Sequence, residues 1–389
     1  MAAKHTVRRN LNLDVLRIVA MLLIVACHAA LHIPWLLNVD NIPLQYLPGW
    51  KSALAFLVVQ YGQVGVSIFF MISGYFLVRK AFRWERVFGT WFQMLCYSVL
   101  SFAIVALLLQ SVDFPDKVIA LFQADSMPHT IEIAFFPFLF NAYWFVTAYM
   151  VMLFAAPFVN CLFAHMPRRS IELFIFLLGF LATWKLLGIT VVMWTNITYA
   201  VLGYAIGGWI RLYGSKSSIP GKPIVLCLII IVSSVVMTVF NHAAADRTAF
   251  TRLFAWETQI KPGIEILPMV IAAAIVMLAL DVDLSWIGGV PRVLILRMAA
   301  ATFGVYLIHE NQFWYRVIWP VITGSLPIPQ SFPDKLMMGG LIVLLVFFGA
   351  GCVAFLLDTL LVHPLTSMIT TAAKRIGLRG QKRLRHAGK

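Results

Sequence analysis

The chain consists largely of apolar runs, each close to the roughly 20 residues that a helix needs to cross the hydrocarbon core of a bilayer. Short polar segments separate these runs. The pattern predicts ten membrane-spanning helices, over approximately 14–34, 54–78, 87–110, 142–164, 171–189, 192–212, 223–241, 264–281, 293–313 and 337–361. The sequence therefore predicts an all-α polytopic membrane protein.

The segments between the predicted helices alternate in charge. If both termini are cytoplasmic, the inner connections receive most of the 30 Lys and Arg residues, and the outer connections are mixed or acidic. This is the distribution that the positive-inside rule requires. We therefore predict two cytoplasmic termini, with a basic segment 1–13, a transmembrane domain 14–365 and a basic tail 366–389.

Composition excludes several classes of protein. Hydrophobic residues make up 61% of the 389 residues and charged residues 12%, which excludes a soluble globular domain. Topology explains the net charge of +14, and the basic tail suits anionic headgroups, so we expect membrane lipids and no nucleic acid as partners. The five cysteines lie inside apolar runs without metal-ligand spacing, so we expect no disulfide framework and no metal.

The first predicted helix carries two ionisable residues, Arg17 and His28, in the stretch DVLRIVAMLLIVACHA. At 100° per residue, their separation of eleven leaves them about 20° from one helix face and about 16 Å apart along the axis. Arg17 would lie near the inner surface and His28 in the outer half. A snorkelling anchor also explains Arg17. A hydrogen-bonded packing role also explains His28, although ionisable groups in a membrane usually face a bundle interior or cavity.

A second polar group ends the ninth predicted helix, in the stretch TFGVYLIHEN. This helix also runs outward, so His309 should reach roughly the depth of His28. Glu310 follows directly, and Tyr306 lies one turn before His309 on the same side. Two histidines at matched depth beside a carboxylate suit proton transfer near a membrane face. The alternative is that both histidines only mark the outer interface.

Basic residues crowd the inner end of the second predicted helix, in the stretch FFMISGYFLVRKAFRWERV. They are Arg79, Lys80, Arg83 and Arg86. Such a run often only sets topology. Guanidinium groups also bind phosphates through paired hydrogen bonds, so with Arg17 the cluster favours a polyphosphate ligand from the cytosol. Ser73 and Gly74, just before the cluster, should allow close helix approach.

A long outer connection, 111–141, combines prolines, acids and aromatic residues. Connections of this length usually bind a ligand or are disordered. The aromatic stretch FFPFLFNAYWF at its end fits either an interfacial belt or part of an acceptor site.

Several motifs, in order along the chain, resemble those of the integral-membrane acyltransferase-3 family. An arginine, ten residues and a histidine in the first helix resemble its signature, and FFMISGYFLVRK resembles its second-helix motif. Arg83 and Arg86 match its cytoplasmic arginine-x-x-arginine motif. The stretches NAYWFVTAYMVMLFAAPFVN and TFGVYLIHEN are similar to later family segments. The likeness runs from about residue 10 to 365.

The resemblance implies transfer of an acyl group, with acetyl expected first, from cytosolic acetyl-CoA or another acyl-CoA to a hydroxyl of a cell-surface or lipid-linked glycan. It implies a multi-pass protein of the bacterial cytoplasmic membrane. The expected catalytic residues are His28, His309, Glu310 and Tyr306, with His28 as general base or nucleophile. The expected CoA-binding residues are Arg17, Arg83, Arg86, Arg79 and Lys80. The expected glycan-binding residues are Asn141, Tyr143 and Trp144.

A transporter or flippase of a glycan or small metabolite is the alternative function, with the histidines as a proton relay. It accounts for histidines at membrane depth but gives no reason for the arginine cluster. A non-catalytic partner in glycan assembly is a third possibility. Saturable acyl-CoA binding would favour the enzyme, and proton-coupled uptake without such binding would favour the transporter.

Overall fold

The computed structural model describes residues 10–33, 50–140, 142–183, 196–214, 221–245 and 266–371. Within these ranges the regular structure is entirely helical. The thirteen α-helices are α1 (Leu11–His32), α2 (Trp50–Leu77), α3 (Trp84–Leu108), α4 (Asp116–Ile119), α5 (Met127–Phe135), α6 (Trp144–His165), α7 (Arg168–Thr183), α8 (Asn196–Tyr213), α9 (Lys222–Ala245), α10 (Ile266–Asp281), α11 (Gly289–His309), α12 (Tyr315–Ser325) and α13 (Phe332–Leu357). A π-helical turn, Asp358–Val362, continues α13 as a helix to Thr371.

The predicted fold class is confirmed. Ten of the thirteen helices lie over the ten predicted spans: α1, α2, α3, α6, α7, α8, α9, α10, α11 and α13. In the described part of the chain, seven helices are long and apolar enough to cross a membrane, and α10 is apolar but shorter. The remaining helices, α4, α5 and α12, are short and lie in connections.

Two helices form the centre of the bundle. Helix α1 packs against α2, α10, α11 and α13, and α2 also packs against α6, α8 and α9. An 18-residue apolar stretch of α2 is 61% buried inside the protein, compared with 22% for the corresponding stretch of α9. Exposed apolar side chains of α9 recur at helical spacing and include Ile224, Leu228, Ile231, Val232 and Val235. An apolar face of this kind suits contact with lipid.

The start of α1 is set by local sequence. Asn10 caps the helix because its side-chain oxygen accepts hydrogen bonds from the backbone N–H groups of Asn12 and Leu13. The Asn12 side chain donates to the carbonyl oxygens of Ala279 and Val282, at 2.6 and 2.5 Å. The first turn of α1 is thereby anchored to the end of α10.

Helices α2 and α8 approach closely through glycine. A Cβ at Gly74 would collide with the backbone carbonyl oxygen of Tyr204 on α8. Reciprocally, a Cβ at Gly207 would collide with the carbonyl of Met71 on α2. The predicted close helix approach at Gly74 is confirmed, and it brings the two backbones into direct contact.

We expect Gly74→Ala to separate α2 from α8, because the added methyl meets backbone rather than a movable side chain. Overpacking of this kind costs about 1–3 kcal/mol, so the purified protein should unfold at a lower temperature. Gly349→Ala on α13 is the matched control, since a Cβ there meets nothing within 4 Å. Equal thermal stability of the two variants would contradict the close contact.

The long connection 111–141 is ordered wherever the structure describes it. Helices α4 and α5 and a 3₁₀ turn, Ala120–Phe122, fold it back over the end of α3. The Phe122 ring lies 5.6 Å from Phe102 on α3 and 5.8 Å from Phe313, just after α11. The segment therefore packs beside the end of α11 that carries His309.

Helix α11 ends at His309, four residues before the predicted end at 313. The side-chain oxygen of Asn311 accepts a hydrogen bond from the backbone N–H of Phe313, at 3.0 Å. This Asx turn offers the backbone an alternative to further helix. The three residues directly after the stop, Glu310, Asn311 and Gln312, are polar, and apolar residues resume at Phe313.

Candidate active site

The imidazoles of His28 and His309 are in direct contact. Nδ1 of His28 lies 2.9 Å from Nε2 of His309, although the residues are 281 positions apart in the chain. His28 stands near the end of α1, and His309 is the last residue of α11. We call this part of the bundle the histidine end. His309 is fully buried, and the side chain of His28 is 14% exposed.

The hydrogen bonds assign a proton to each ring. Nδ1 of His309 lies 2.7 Å from the carbonyl oxygen of Val305, which only accepts, so this nitrogen carries the proton. In neutral His309 the other nitrogen, Nε2, is then an acceptor, and His28 Nδ1 donates to it. The lone pair of neutral His28 consequently lies on Nε2. Val305 thus fixes the tautomers of both histidines.

Glu310 supplies a carboxylate beside this pair. Its Oε1 lies 3.3 Å from His28 Nδ1 and 3.9 Å from Nε2 of His32. Oε1 is buried beside these two histidine rings. The carboxylate lies where it would stabilise positive charge developing on His28 during proton transfer.

His32 stands one turn after His28 on α1. Its ring lies 6.2 Å from the ring of His28, in a stacked arrangement. On the other side it stacks on Tyr315 at 5.4 Å and lies 5.9 Å from Trp319, both on α12. The short helix α12 therefore closes over the histidine end and orients this ring.

Aromatic and amide side chains brace the last turn of α11. The Tyr143 hydroxyl donates to the carbonyl oxygen of Leu307 at 3.1 Å and accepts from Nδ2 of Asn311 at 2.5 Å. The Tyr306 ring lies 6.0 Å from the ring of Tyr143 and 6.1 Å, edge-on, from the ring of His309. These buried contacts hold the turn that carries His309 and Glu310.

Two adjoining cavities run into the bundle beside α1. The first, which we call the basic cavity, measures about 410 Å³ and is lined by Arg17, Arg86 and His363 among others. The second, which lies deeper in the bundle and which we call the inner cavity, measures about 290 Å³ and extends past Met21 to Phe145. The residues shared by both linings are Arg17, Ile72, Ser73, Thr90 and Tyr149. The two cavities therefore adjoin at Arg17.

The inner cavity leads toward the histidines. Phe145 in its wall lies 5.4 Å from the ring of Tyr306, which in turn contacts the ring of His309. Ala299 of α11 lines the same cavity as Arg17. Ala299 precedes His309 by ten positions and Arg17 precedes His28 by eleven, so α1 and α11 run parallel and in register. The shared register brings the two histidines to one depth.

Arg17 has a fixed position at the cavity. Its Nη1 donates to Oδ1 of Asp14 at 2.6 Å, and its guanidinium lies 5.6 Å from the Phe76 ring centroid. The side chain of Asp14 is only 2% exposed, whereas that of Arg17 is 27% exposed. The ion pair anchors Arg17 on one side and leaves part of its guanidinium accessible from the cavity.

The other predicted basic residues lie at different distances from the basic cavity. Arg86 lines it and donates to the carbonyl oxygen of Ala81 at 3.3 Å. Arg83 and Lys80 line a small adjoining pocket with Arg86, and Arg83 Nε lies 3.5 Å from Glu85 Oε2. Arg79 is exposed on the turn between α2 and α3. The structure thus brings Arg17 and Arg86 together and leaves Arg79 at the surface.

The predicted catalytic residues converge, and of the predicted glycan-binding residues Tyr143 lies against them. His28, His309, Glu310 and Tyr306 form one cluster. Tyr143 is buried beneath it, Trp144 is half-buried at the start of α6, and Asn141 lies outside the described residues. Their roles toward a ligand stay predictions.

Three residues of this region escaped the sequence analysis. Asp14 precedes Arg17 by three positions, and His32 follows His28 by four, so both spacings place neighbours on one helix face. Those spacings would have identified them. Asn311 offers no such signal, because its contact with Tyr143 joins residues 168 positions apart.

Comparison with protein families finds a match to the acyltransferase domain of the acyltransferase-3 family over residues 10–360. No curated protein and no solved structure matches the chain. The matched range includes the histidine cluster, the inner cavity and Arg17, whereas the basic cavity extends past it to Val362, His363 and Thr366. An acyltransferase family does not favour the transporter alternative. The chain belongs to the acyltransferase-3 family and is a multi-pass membrane acyltransferase.

Proposed function

We propose that this protein transfers an acyl group, acetyl in the first instance, from cytosolic acyl-CoA to a hydroxyl of a cell-surface or lipid-linked glycan. The observation that most supports this proposal lies along α1. Arg17 lines an open cavity, and His28 is the last group of the hydrogen-bonded chain Val305–His309–His28, which we call the proton relay. We place the protein in the bacterial cytoplasmic membrane, with both termini and the arginines on the cytoplasmic side. Its other partners are membrane lipids, and nucleic acid is not among them.

The basic cavity suits the phosphates of CoA. Arg17 and Arg86 face one space, and guanidinium groups bind phosphate oxygens through paired, charge-assisted hydrogen bonds. Arg83 and Lys80 adjoin this space, and Arg79 at the surface adds positive charge near its mouth. Because the inner cavity is smaller than the basic cavity and has apolar and hydroxyl-bearing side chains beyond Arg17, it suits the pantetheine arm rather than the nucleotide.

The relay supplies the chemistry of transfer. His28 Nε2 takes the proton of the acceptor hydroxyl as its oxygen attacks the thioester carbonyl. The C–S bond then breaks, and the departing CoA thiolate takes the proton from His28. Glu310 stabilises the transient imidazolium, while His309 and Val305 hold the ring in the required tautomer. No step requires a metal.

The same lone pair serves a covalent route. His28 Nε2 attacks the thioester carbonyl, the C–S bond breaks and CoA leaves as a thiolate. The acceptor oxygen then attacks the acyl carbon, the C–N bond to the imidazole breaks, and the hydroxyl proton goes to the CoA thiolate. Rapid acid quenching of the protein with acyl-CoA alone, followed by mass spectrometry, separates the routes. An acyl adduct on His28 identifies the covalent one, and unmodified His28 identifies general-base catalysis.

The acceptor would approach at the histidine end. Trp144 and the aromatic residues before α6 suit the faces of sugar rings. Mass spectrometry of surface glycans with and without the gene reports donor and acceptor together. Loss of one acyl ester from one sugar supports the proposal, and an unchanged glycan profile contradicts it. Proton-coupled uptake without acyl-CoA binding would support a transporter instead.

We expect Tyr143→Phe to lower kcat while the Kd for acyl-CoA stays the same. The change removes the hydroxyl between Leu307 and Asn311, and small displacements of a catalytic group cost up to about 10²-fold in rate. Tyr61→Phe is the matched control, since it loses a hydroxyl contact of 2.7 Å with Ser234 on α9. A raised acceptor KM with unchanged kcat would instead indicate that Tyr143 contacts the glycan.

A further inference from the structure

We propose that His28, His309 and Glu310 form a binding site for a zinc-class divalent cation, with His32 as fourth ligand, and that the bound ion inhibits the enzyme. Binding follows from the ligand geometry alone. Inhibition rests on the proposed role of His28 in acyl transfer. Catalysis uses the site without the ion, so the cation competes with the proton relay.

The distances are close to those of a metal site. The ligand atoms of His28, His309 and Glu310 all lie within 4.8 Å of one another, and the structure describes no other such group of three. Tetrahedral zinc with bonds of about 2.0–2.1 Å separates its ligand atoms by roughly 3.3 Å. The contact between His28 and Glu310 is already 3.3 Å, and that between His28 and His309 is 2.9 Å. Lengthening the His28–His309 contact by a few tenths of an ångström would make room for the ion.

The donor set selects the kind of cation. Two imidazoles and one carboxylate are a ligand set of catalytic zinc sites, whereas magnesium and calcium prefer oxygen ligands. His309 also has the second partner that metal-bound histidines require, since its Nδ1–H donates to the Val305 carbonyl. The buried Oε1 of Glu310 already lies 3.3 Å from Nδ1 of His28 and would become a ligand of the ion.

His32 completes the coordination. It lies four positions after His28, which puts both rings on one face of α1. Its Nε2 is 3.9 Å from Oε1 of Glu310, and its ring stacks on Tyr315. His32 stands outside the group of three, so this ring would have to rotate toward the ion to become the fourth ligand.

Metal binding would switch off the relay by changing the tautomer of His28. In the relay, Nδ1 carries the proton and Nε2 the lone pair. A cation on Nδ1 uses the lone pair there, so the ring proton moves to Nε2 and no proton is released. Nε2 then has no lone pair with which to take a proton or attack a thioester.

Metal binding is tested on the purified full chain with Co²⁺ as a spectroscopic probe and Zn²⁺ as competitor. We expect the intense visible absorption of tetrahedral Co²⁺, removed by equimolar Zn²⁺. Glu310→Gln should weaken Zn²⁺ binding by roughly 100-fold and His32→Gln by roughly 10-fold. His129→Gln should not change it, because that exposed histidine lies 3.4 Å from Glu132 but is outside any such group of three. Absent cobalt absorption, or absorption unaffected by Glu310→Gln, overturns the site.

Inhibition is tested in the same preparation by acyl transfer from radiolabelled acetyl-CoA. Wild-type and His129→Gln protein should lose activity over the Zn²⁺ concentrations that displace Co²⁺ and regain it with EDTA. Zn²⁺ binding without inhibition overturns the competition with the relay. Zn²⁺ binding by a protein inactive even after EDTA contradicts the proposed function and leaves the metal site standing. Acyl transfer by a protein that neither binds Zn²⁺ nor is inhibited by it supports the proposed function and overturns the metal site.

Discussion

His28→Ala is expected to lower acyl transfer by roughly 10²–10⁴-fold or more, the usual contribution of a positioned proton-transfer group. The loss follows from the tautomer that Val305 and His309 impose, which leaves the reactive lone pair on Nε2 of His28. Transfer from radiolabelled acetyl-CoA to extracted cell-envelope glycan measures the effect. Acyl-CoA binding should persist, because Arg17 lies about 16 Å away along α1.

The control for this variant is His129→Ala, on the short helix α5. His129 also lies near a carboxylate, at 3.4 Å from Glu132, but is exposed and far along the chain from the relay. Equal thermal unfolding of the two variants would show that His28→Ala is folded. Retained transfer by a folded His28→Ala protein would contradict the proposed mechanism.

The second large effect is expected from removing the charge of Arg17. Hydrogen bonds to charged groups contribute about 1.5–3 kcal/mol, which corresponds to a rise in the Kd for acyl-CoA of about 10–150-fold. Arg17→Gln alone would leave the buried Asp14 without this guanidinium and destabilise the fold. The double variant Asp14→Asn/Arg17→Gln removes both charges together and isolates the effect on binding.

Arg297→Gln is the matched control for the loss of an arginine charge. Arg297 stands in α11, with its guanidinium 5.8 Å from the Phe355 ring centroid on α13. Titration with acyl-CoA should give the same Kd for this control as for the wild-type protein. An unchanged Kd in the double variant would mean that Arg17 only anchors the helix at the membrane surface.

The sequence determined the fold class because membrane-spanning helices are encoded locally. A run of about 20 apolar residues must satisfy its own backbone hydrogen bonds in lipid, so length and hydropathy suffice to place most helices. The periodicity of one helix likewise fixed the shared face of Arg17 and His28. The matched depth of His28 and His309 also followed from counting residues along two helices that were predicted to run in the same direction.

The tertiary structure alone decided what those residues contact. No sequence pattern predicts the hydrogen bond between His28 and His309, which are 281 positions apart. None predicts the hydrogen bonds of Tyr143 with Leu307 and Asn311 either. The end of α11 at His309, set by the Asx turn of Asn311, turns Glu310 toward both α1 histidines. Helical periodicity gives the direction of a side chain around its own axis. Which neighbour it meets depends on how helices pack, and that is set by contacts such as those of Gly74 and Gly207, far apart in the chain.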